Sequence, residues 1–119
     1  MKFIVSSTGL FSHLQAISRV INSKNSLPIL DCFLMELTDG TLSLTASDSE
    51  TTLSTSLEVN ESDGDGRFAV SSKTILEALK EIPEQPLTFE VNTNNLEITV
   101  QYQNGKYSLM GQNADEYPQ

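Results

Sequence analysis

The sequence predicts an α+β fold: a duplicated β-α-β-β-β unit whose two helices pack on antiparallel sheets. Three observations predict it. Lys2-Phe3-Ile4-Val5-Ser6-Ser7 is echoed by Arg67-Phe68-Ala69-Val70-Ser71-Ser72, at an offset of 65 residues. The same offset carries Leu10, Phe11, Leu14 and Ile17 onto Ile75, Leu76, Leu79 and Ile82, so the echo runs on through an apolar stripe at helical spacing. After each stripe come three short runs, several of which alternate apolar with polar residues, as strands with one buried face do.

Each copy opens with a short strand ending in a Ser-Ser pair. Serine before an apolar-periodic run is an N-cap signal, because its oxygen accepts a backbone N–H that the first helical turn leaves free. The first helix buries Leu10, Leu14, Ile17 and Ile21, and Ser26-Leu27-Pro28 breaks the chain after it. Residues 29–37, 41–46 and 51–59 read as strands, with Asp39-Gly40 as a hairpin turn. Residues 60–66 (Asn-Glu-Ser-Asp-Gly-Asp-Gly) read as a polar loop joining the halves. In the second half Pro83 follows the helix, and strands are expected at 87–91, 96–102 and 106–110, with turns at 92–95 and Asn104-Gly105. The expectation is one domain over 1–119 with halves of about 1–60 and 66–112. Its pseudo-two-fold axis lays the helices side by side, their non-core stripes exposed together.

At 119 residues, with 38% apolar and 19% charged residues, the chain is long enough and apolar enough to bury a core. Its apolar runs are too short for a membrane span, and residues 1–7 turn polar too soon for a secretory signal. A cytoplasmic protein with no membrane partner is the simplest reading. Cys32 is the sole cysteine and His13 the sole histidine, which excludes an internal disulfide and a zinc site built by the chain alone, so no metal or cofactor is expected.

The net charge of -9 argues against bulk attraction to nucleic acid, but the charge is uneven. Residues 1–30 hold Lys2, Arg19 and Lys24 and no acid; residues 31–119 hold Arg67, Lys73, Lys80 and Lys106 against all 16 acids. The outer stripe of the first helix carries Ser12, Gln15, Ala16, Arg19 and Asn22, with Lys24 just beyond and His13 at the margin. That of the second carries Lys73, Thr74, Glu77, Lys80 and Glu81, where Glu77 is spaced to pair with either lysine. Small polar groups with scattered cations suit weak contacts to phosphates, not base reading.

Enzyme signals are nearly absent. No P-loop, dinucleotide fingerprint or nucleophile elbow occurs. Asp48 and Glu50 read as a solvated strand end, although a small hydrolase would use such a pair. Asp63-Gly64-Asp65-Gly66 lacks the later ligands of a calcium loop and reads as a turn. Cys32, beside Phe33 in a strand, reads as a core thiol. Asn60-Glu61-Ser62 is a glycosylation sequon left idle without a secretory signal.

Met1-Lys2-Phe3, Ser26-Leu27-Pro28-Ile29-Leu30 and Asp39-Gly40-Thr41-Leu42-Ser43-Leu44-Thr45-Ala46-Ser47-Asp48 together resemble the bacterial sliding clamp family, the beta subunit of DNA polymerase III. The likeness runs through Phe68-Ala69-Val70 to Tyr107-Ser108-Leu109 and ends in Ala114-Asp115-Glu116-Tyr117-Pro118, similar to the family's junction between its first and second domains. It implies the DNA-clamp (processivity) fold, a role as N-terminal domain, and no catalytic activity. It also implies a ring of two head-to-tail subunits around duplex DNA that tethers the replicative polymerase. The polymerase and the clamp loader would dock on domains absent here. By position the resemblance turns Lys24, Gln15, Lys73 and Lys80 toward the duplex; Arg19 joins them by periodicity. It makes 106–110, with Lys106, Tyr107, Ser108 and Leu109, the strand that pairs with the partner subunit, and sets Thr74 and Ala78 near that edge. Without the resemblance, the same edge strand would suit a protein-interaction module working by strand addition.

Overall fold

A computed structural model describes residues 1–21, 31–47, 51–92, 94–103 and 105–117. The elements run β1 (Lys2–Ser6), α1 (Ser7–Ile17), a 3-10 turn (Ser18–Val20), β2 (Cys32–Thr38), β3 (Thr41–Ser47) and β4 (Thr52–Glu58). They continue with β5 (Glu61–Asp63), β6 (Gly66–Ser71), α2 (Ser72–Lys80), β7 (Pro86–Val91), β8 (Glu97–Tyr102), β9 (Gly105–Met110) and a second 3-10 turn (Ala114–Glu116).

All strand pairs are antiparallel, in a five-stranded sheet ordered β5-β1-β7-β8-β9 and a four-stranded sheet ordered β4-β3-β2-β6. The two halves exchange their first strands. β1 pairs with β7 of the second half, Phe3 opposite Phe89; β6 pairs with β2 of the first, Phe68 opposite Met35. Neither half completes its own sheet, so the duplication is interlocked rather than tandem. Helices α1 and α2 pack against each other, as the repeat predicts.

Alternation decides the layering. Phe33, Met35 and Leu37 of β2, Leu42, Leu44 and Ala46 of β3, and Ile98 and Val100 of β8 point inward with Leu10, Leu14, Ile75 and Leu79 of the helices, forming one cluster. Phe3 and Phe89 stack within it, centroids 4.9 Å apart and 7° from parallel. Cys32 is buried in a strand, as expected, but in a second small cluster outside that core.

Two expectations need correction. Residues 60–66 are not only a loop: Glu61–Asp63 form β5, which pairs with β1. All three residues are exposed, so no hydrophobic alternation announces the strand; the free edge of β1 recruits it. The first helix also stops short of Ile21, whose backbone is extended at φ -78, ψ 118 after the 3-10 turn, while its side chain still packs on the core. The break at Ser26-Leu27-Pro28 and the Asp48–Glu50 pair lie outside the described residues.

Candidate nucleic-acid interface

Ser6 caps α1 by accepting from the Gly9 N–H at 3.1 Å, and Ser71 caps α2 by accepting from the Thr74 N–H at 3.5 Å. Burial of Leu10, Leu14 and Ile17 on α1, and of Ile75 and Leu79 on α2, then fixes which sides face out. Ser12, Gln15 and Ala16 are exposed on α1 and Arg19 on the 3-10 turn that follows it; Lys73, Thr74, Glu77 and Lys80 are exposed on α2, with Glu81 just past its end. The packed helices thus present polar stripes with cations in each. Lys24 lies outside the described residues.

Glu77 makes no ion pair with Lys73 or Lys80. The ion pairs between described residues are Lys2–Glu90, at 3.6 Å across β1 and β7, and Arg67–Asp115. Solvation of an exposed helix face outweighs an i, i+4 contact worth only about 0.3–0.5 kcal/mol, which leaves both lysines open to solution. His13, at the margin of α1, is half-buried, with Nδ1 2.7 Å from the Gly9 carbonyl.

The expected edge strand is an edge: β9 pairs with β8 alone and closes the five-stranded sheet. Along it Lys106 and Ser108 are exposed, Tyr107 is half-buried, and Leu109 points into the core, so Leu109 offers a neighbour its backbone only. Tyr107 tilts on Tyr102, centroids 6.0 Å apart, and its hydroxyl is buried without a hydrogen-bond partner among the described residues. Burial, with Tyr102 nearby, pushes that phenol up to about 12, so it stays neutral. Tyr102 and Tyr107 share a pocket of about 300 Å³ with Ala78, Ile82, Pro83 and Gln85. Thr74 lies one turn earlier on α2, with its hydroxyl 3.3 Å from Ser71 Oγ.

Several features here escaped sequence reasoning. Met110 is 66% exposed at the end of β9, the largest apolar group left bare among the described residues. Glu84 reaches back to the start of α1, where its carboxylate accepts from Ser6 Oγ at 2.9 Å and from the Thr8 hydroxyl. Those hydroxyls hold it below its ordinary value of 4.5, Thr8 first and Ser6 second. Its spacing carries no signal, since the contact spans 78 residues. Asp63 and Asp65 serve separate tasks: one is in the β5 ladder, and the other accepts from the Asp39 N–H at 3.2 Å.

The family of the DNA polymerase III beta subunit, N-terminal domain, matches residues 1–119. The chain belongs to this family. The beta sliding clamp of Haemophilus influenzae is 29% identical over 99% of this chain and 32% of its own length. The crystal structure of the beta subunit from DNA polymerase of Streptococcus pyogenes superposes over 100% of this chain and 32% of its own, with a TM-score of 0.92 at 19% identity. The Helicobacter pylori beta clamp bound to a DNA ligase peptide gives 0.90 at 23% identity, over 100% of this chain and 33% of its own. The chain therefore spans about a third of the length of the curated relatives it matches. The clamp fold implied by the resemblance is the fold observed. Among the described residues no helix is long and apolar enough to cross a membrane.

Proposed function

We propose that this chain is one domain, the N-terminal one, of a non-enzymatic ring that encircles duplex DNA and tethers a replicative polymerase in the cytoplasm. Family membership supports the reading, and the paired helix faces carry it. They are exposed, polar and sparsely cationic on a molecule whose net charge is -9. A ring retains DNA by topology, so its lumen needs weak, sequence-blind phosphate contacts that allow sliding. Gln15, Arg19, Lys24, Lys73 and Lys80 are proposed to supply them, and the acidic remainder to keep the duplex off the outside. The β9 edge, with Lys106, Tyr107, Ser108 and the Leu109 backbone, beside Thr74 and Ala78, is proposed to join a second subunit head-to-tail. Polymerase and clamp loader would dock on parts of the protein beyond this chain.

The test uses the whole protein loaded on circular and on linear duplex. Retention on circles and rapid loss from linear ends are expected; equal retention on both overturns the ring. Arg19→Ala with Lys24→Ala should flatten the log–log salt dependence of DNA contact by about one per charge removed. An unchanged slope removes these residues from the lumen.

A further inference from the structure

After β9 the chain crosses from one sheet to the other. Gly111 N–H donates to the Leu96 carbonyl at 2.7 Å, and Gln112 and Ala69 exchange both backbone bonds, at 2.7 and 3.0 Å. This covers part of the free edge of β6. Asn113 then caps a 3-10 turn by accepting from the Asp115 N–H at 2.9 Å, and Ala114 and Tyr117 are buried, each 3% exposed. They pack in a cluster with Cys32, Leu34 and Ala69 that is separate from the main core. Asp115 also takes Arg67 out of its symmetric role. Lys2, the counterpart of Arg67, pairs with Glu90 directly across its ladder, whereas Arg67 faces Glu36 but pairs with Asp115.

We propose that residues 111–117 form a latch that opens as a unit while the two-sheet core stays folded, uncovering Cys32 and the β6 edge together. The anchors are few: one β-bridge, the Gly111–Leu96 backbone bond, one exposed ion pair and two buried side chains. Releasing them takes none of the side chains of the main core cluster with it, the condition for a sub-global opening. The equivalent cover on β1 is different in kind. There β5 makes a three-residue ladder and is tied at both ends, to β4 and to β6.

Cys32 reports the opening because it is the sole thiol in the chain. While latched it is 1% exposed, and burial, with Asp31 nearby, pushes the thiol up to about 11, so it resists disulfide reagents. The experiment follows reaction of the unmodified chain with dithionitrobenzoate at increasing sub-denaturing urea, beside its equilibrium unfolding curve. The expected result is a labelling free energy with a urea slope well below the global m-value, as for an opening that exposes little surface. Tyr117→Ala and, separately, Arg67→Ala should each speed labelling, the first by roughly tenfold or more, with the urea midpoint of the core nearly unmoved. Amide exchange at Gln112 and Ala69 should quicken in step. A slope for the unmodified chain equal to the global m-value shows that Cys32 is reached only by complete unfolding, and overturns the latch without recourse to any variant.

Discussion

Helix α1 begins beneath a carboxylate supplied by the other half of the molecule; α2 begins on a cap bond to its own first turn. Glu84 accepts from Ser6 and Thr8, and Ser7 Oγ accepts from the Gln85 N–H at 3.0 Å, locking the first turn of α1 to the segment before β7. At the equivalent end of α2, Ser71 accepts from Thr74, from its N–H at 3.5 Å and its hydroxyl at 3.3 Å. The skeleton around them is the same. Asn60 N–H reaches the Ile4 carbonyl just as Gln112 N–H reaches Ala69, and Val59 N–H reaches Gly40 just as Gly111 N–H reaches Leu96. Even the left-handed backbone is kept: Gly40 has φ 80 and Leu96 has φ 61, although a leucine there carries a strain of about 1–2 kcal/mol. Duplication preserved the hydrogen-bonded frame and left the side chains at helix ends and edges free to diverge.

The largest test of that equivalence lies in the exchanged strands. Phe3→Ala and Phe68→Ala each empty a site that is at most 1% exposed, and each should cost about 3–5 kcal/mol in urea unfolding. Phe3 stacks on Phe89 whereas Phe68 faces Met35, so the loss at Phe3 should be the greater by about 0.5–1.5 kcal/mol. A cost at Phe68 below about 1 kcal/mol would show that the two exchanged ladders are not energetic counterparts.

What the sequence revealed follows the same division. The frame was legible because burial enforces period: Leu42, Leu44 and Ala46 alternate on β3, and Leu10, Leu14 and Ile17 recur at helical spacing. The exposed helix stripes were legible as the complement of that core. The exchange of β1 and β6 was not, because pairing partners far apart in sequence leave no local trace. β5 was hidden by its three exposed residues, and Glu84 by a contact spanning 78 positions. Tyr107 was singled out through the family resemblance, but its pocket needed Tyr102, Ile82 and Gln85 to be brought together by the fold.

A smaller effect is expected where the halves cross between sheets. Val59 carries a side chain at the position equivalent to Gly111, so that backbone path alone does not demand glycine. At 111 an added Cβ would lie 3.0 Å from the Leu96 carbonyl oxygen and 3.3 Å from that of Ala69. Both are backbone atoms fixed by the very bonds that hold the crossing. Gly111→Ala should therefore weaken the crossing by about 1–3 kcal/mol, read as faster labelling of Cys32 with the urea midpoint of the core nearly unmoved. A neutral outcome would mean that the tail shifts without loss and that the crossing is softer than its counterpart at Val59.

The smallest effect separates the two helix starts, and pH supplies its sign. Ser6→Ala should cost about 1 kcal/mol and Ser71→Ala less, since its bond is longer. Glu84→Gln keeps the shape of the α1 clasp and removes its charge. Because hydrogen bonds from Thr8 and Ser6 depress the folded-state pKa, ionised Glu84 binds protons less readily in the folded chain than in the unfolded one. Its stabilising contribution is therefore complete above the ordinary carboxylate value and disappears as pH falls through the depressed one. Thermal midpoints of the original chain and of Glu84→Gln should differ at neutral pH and converge in acid, while Ser71→Ala should run parallel to the original chain throughout. A gap between the original chain and Glu84→Gln that widens in acid would mean that Glu84 is protonated more readily in the folded state, and that α1 is held by its neutral side chain instead of by its charge.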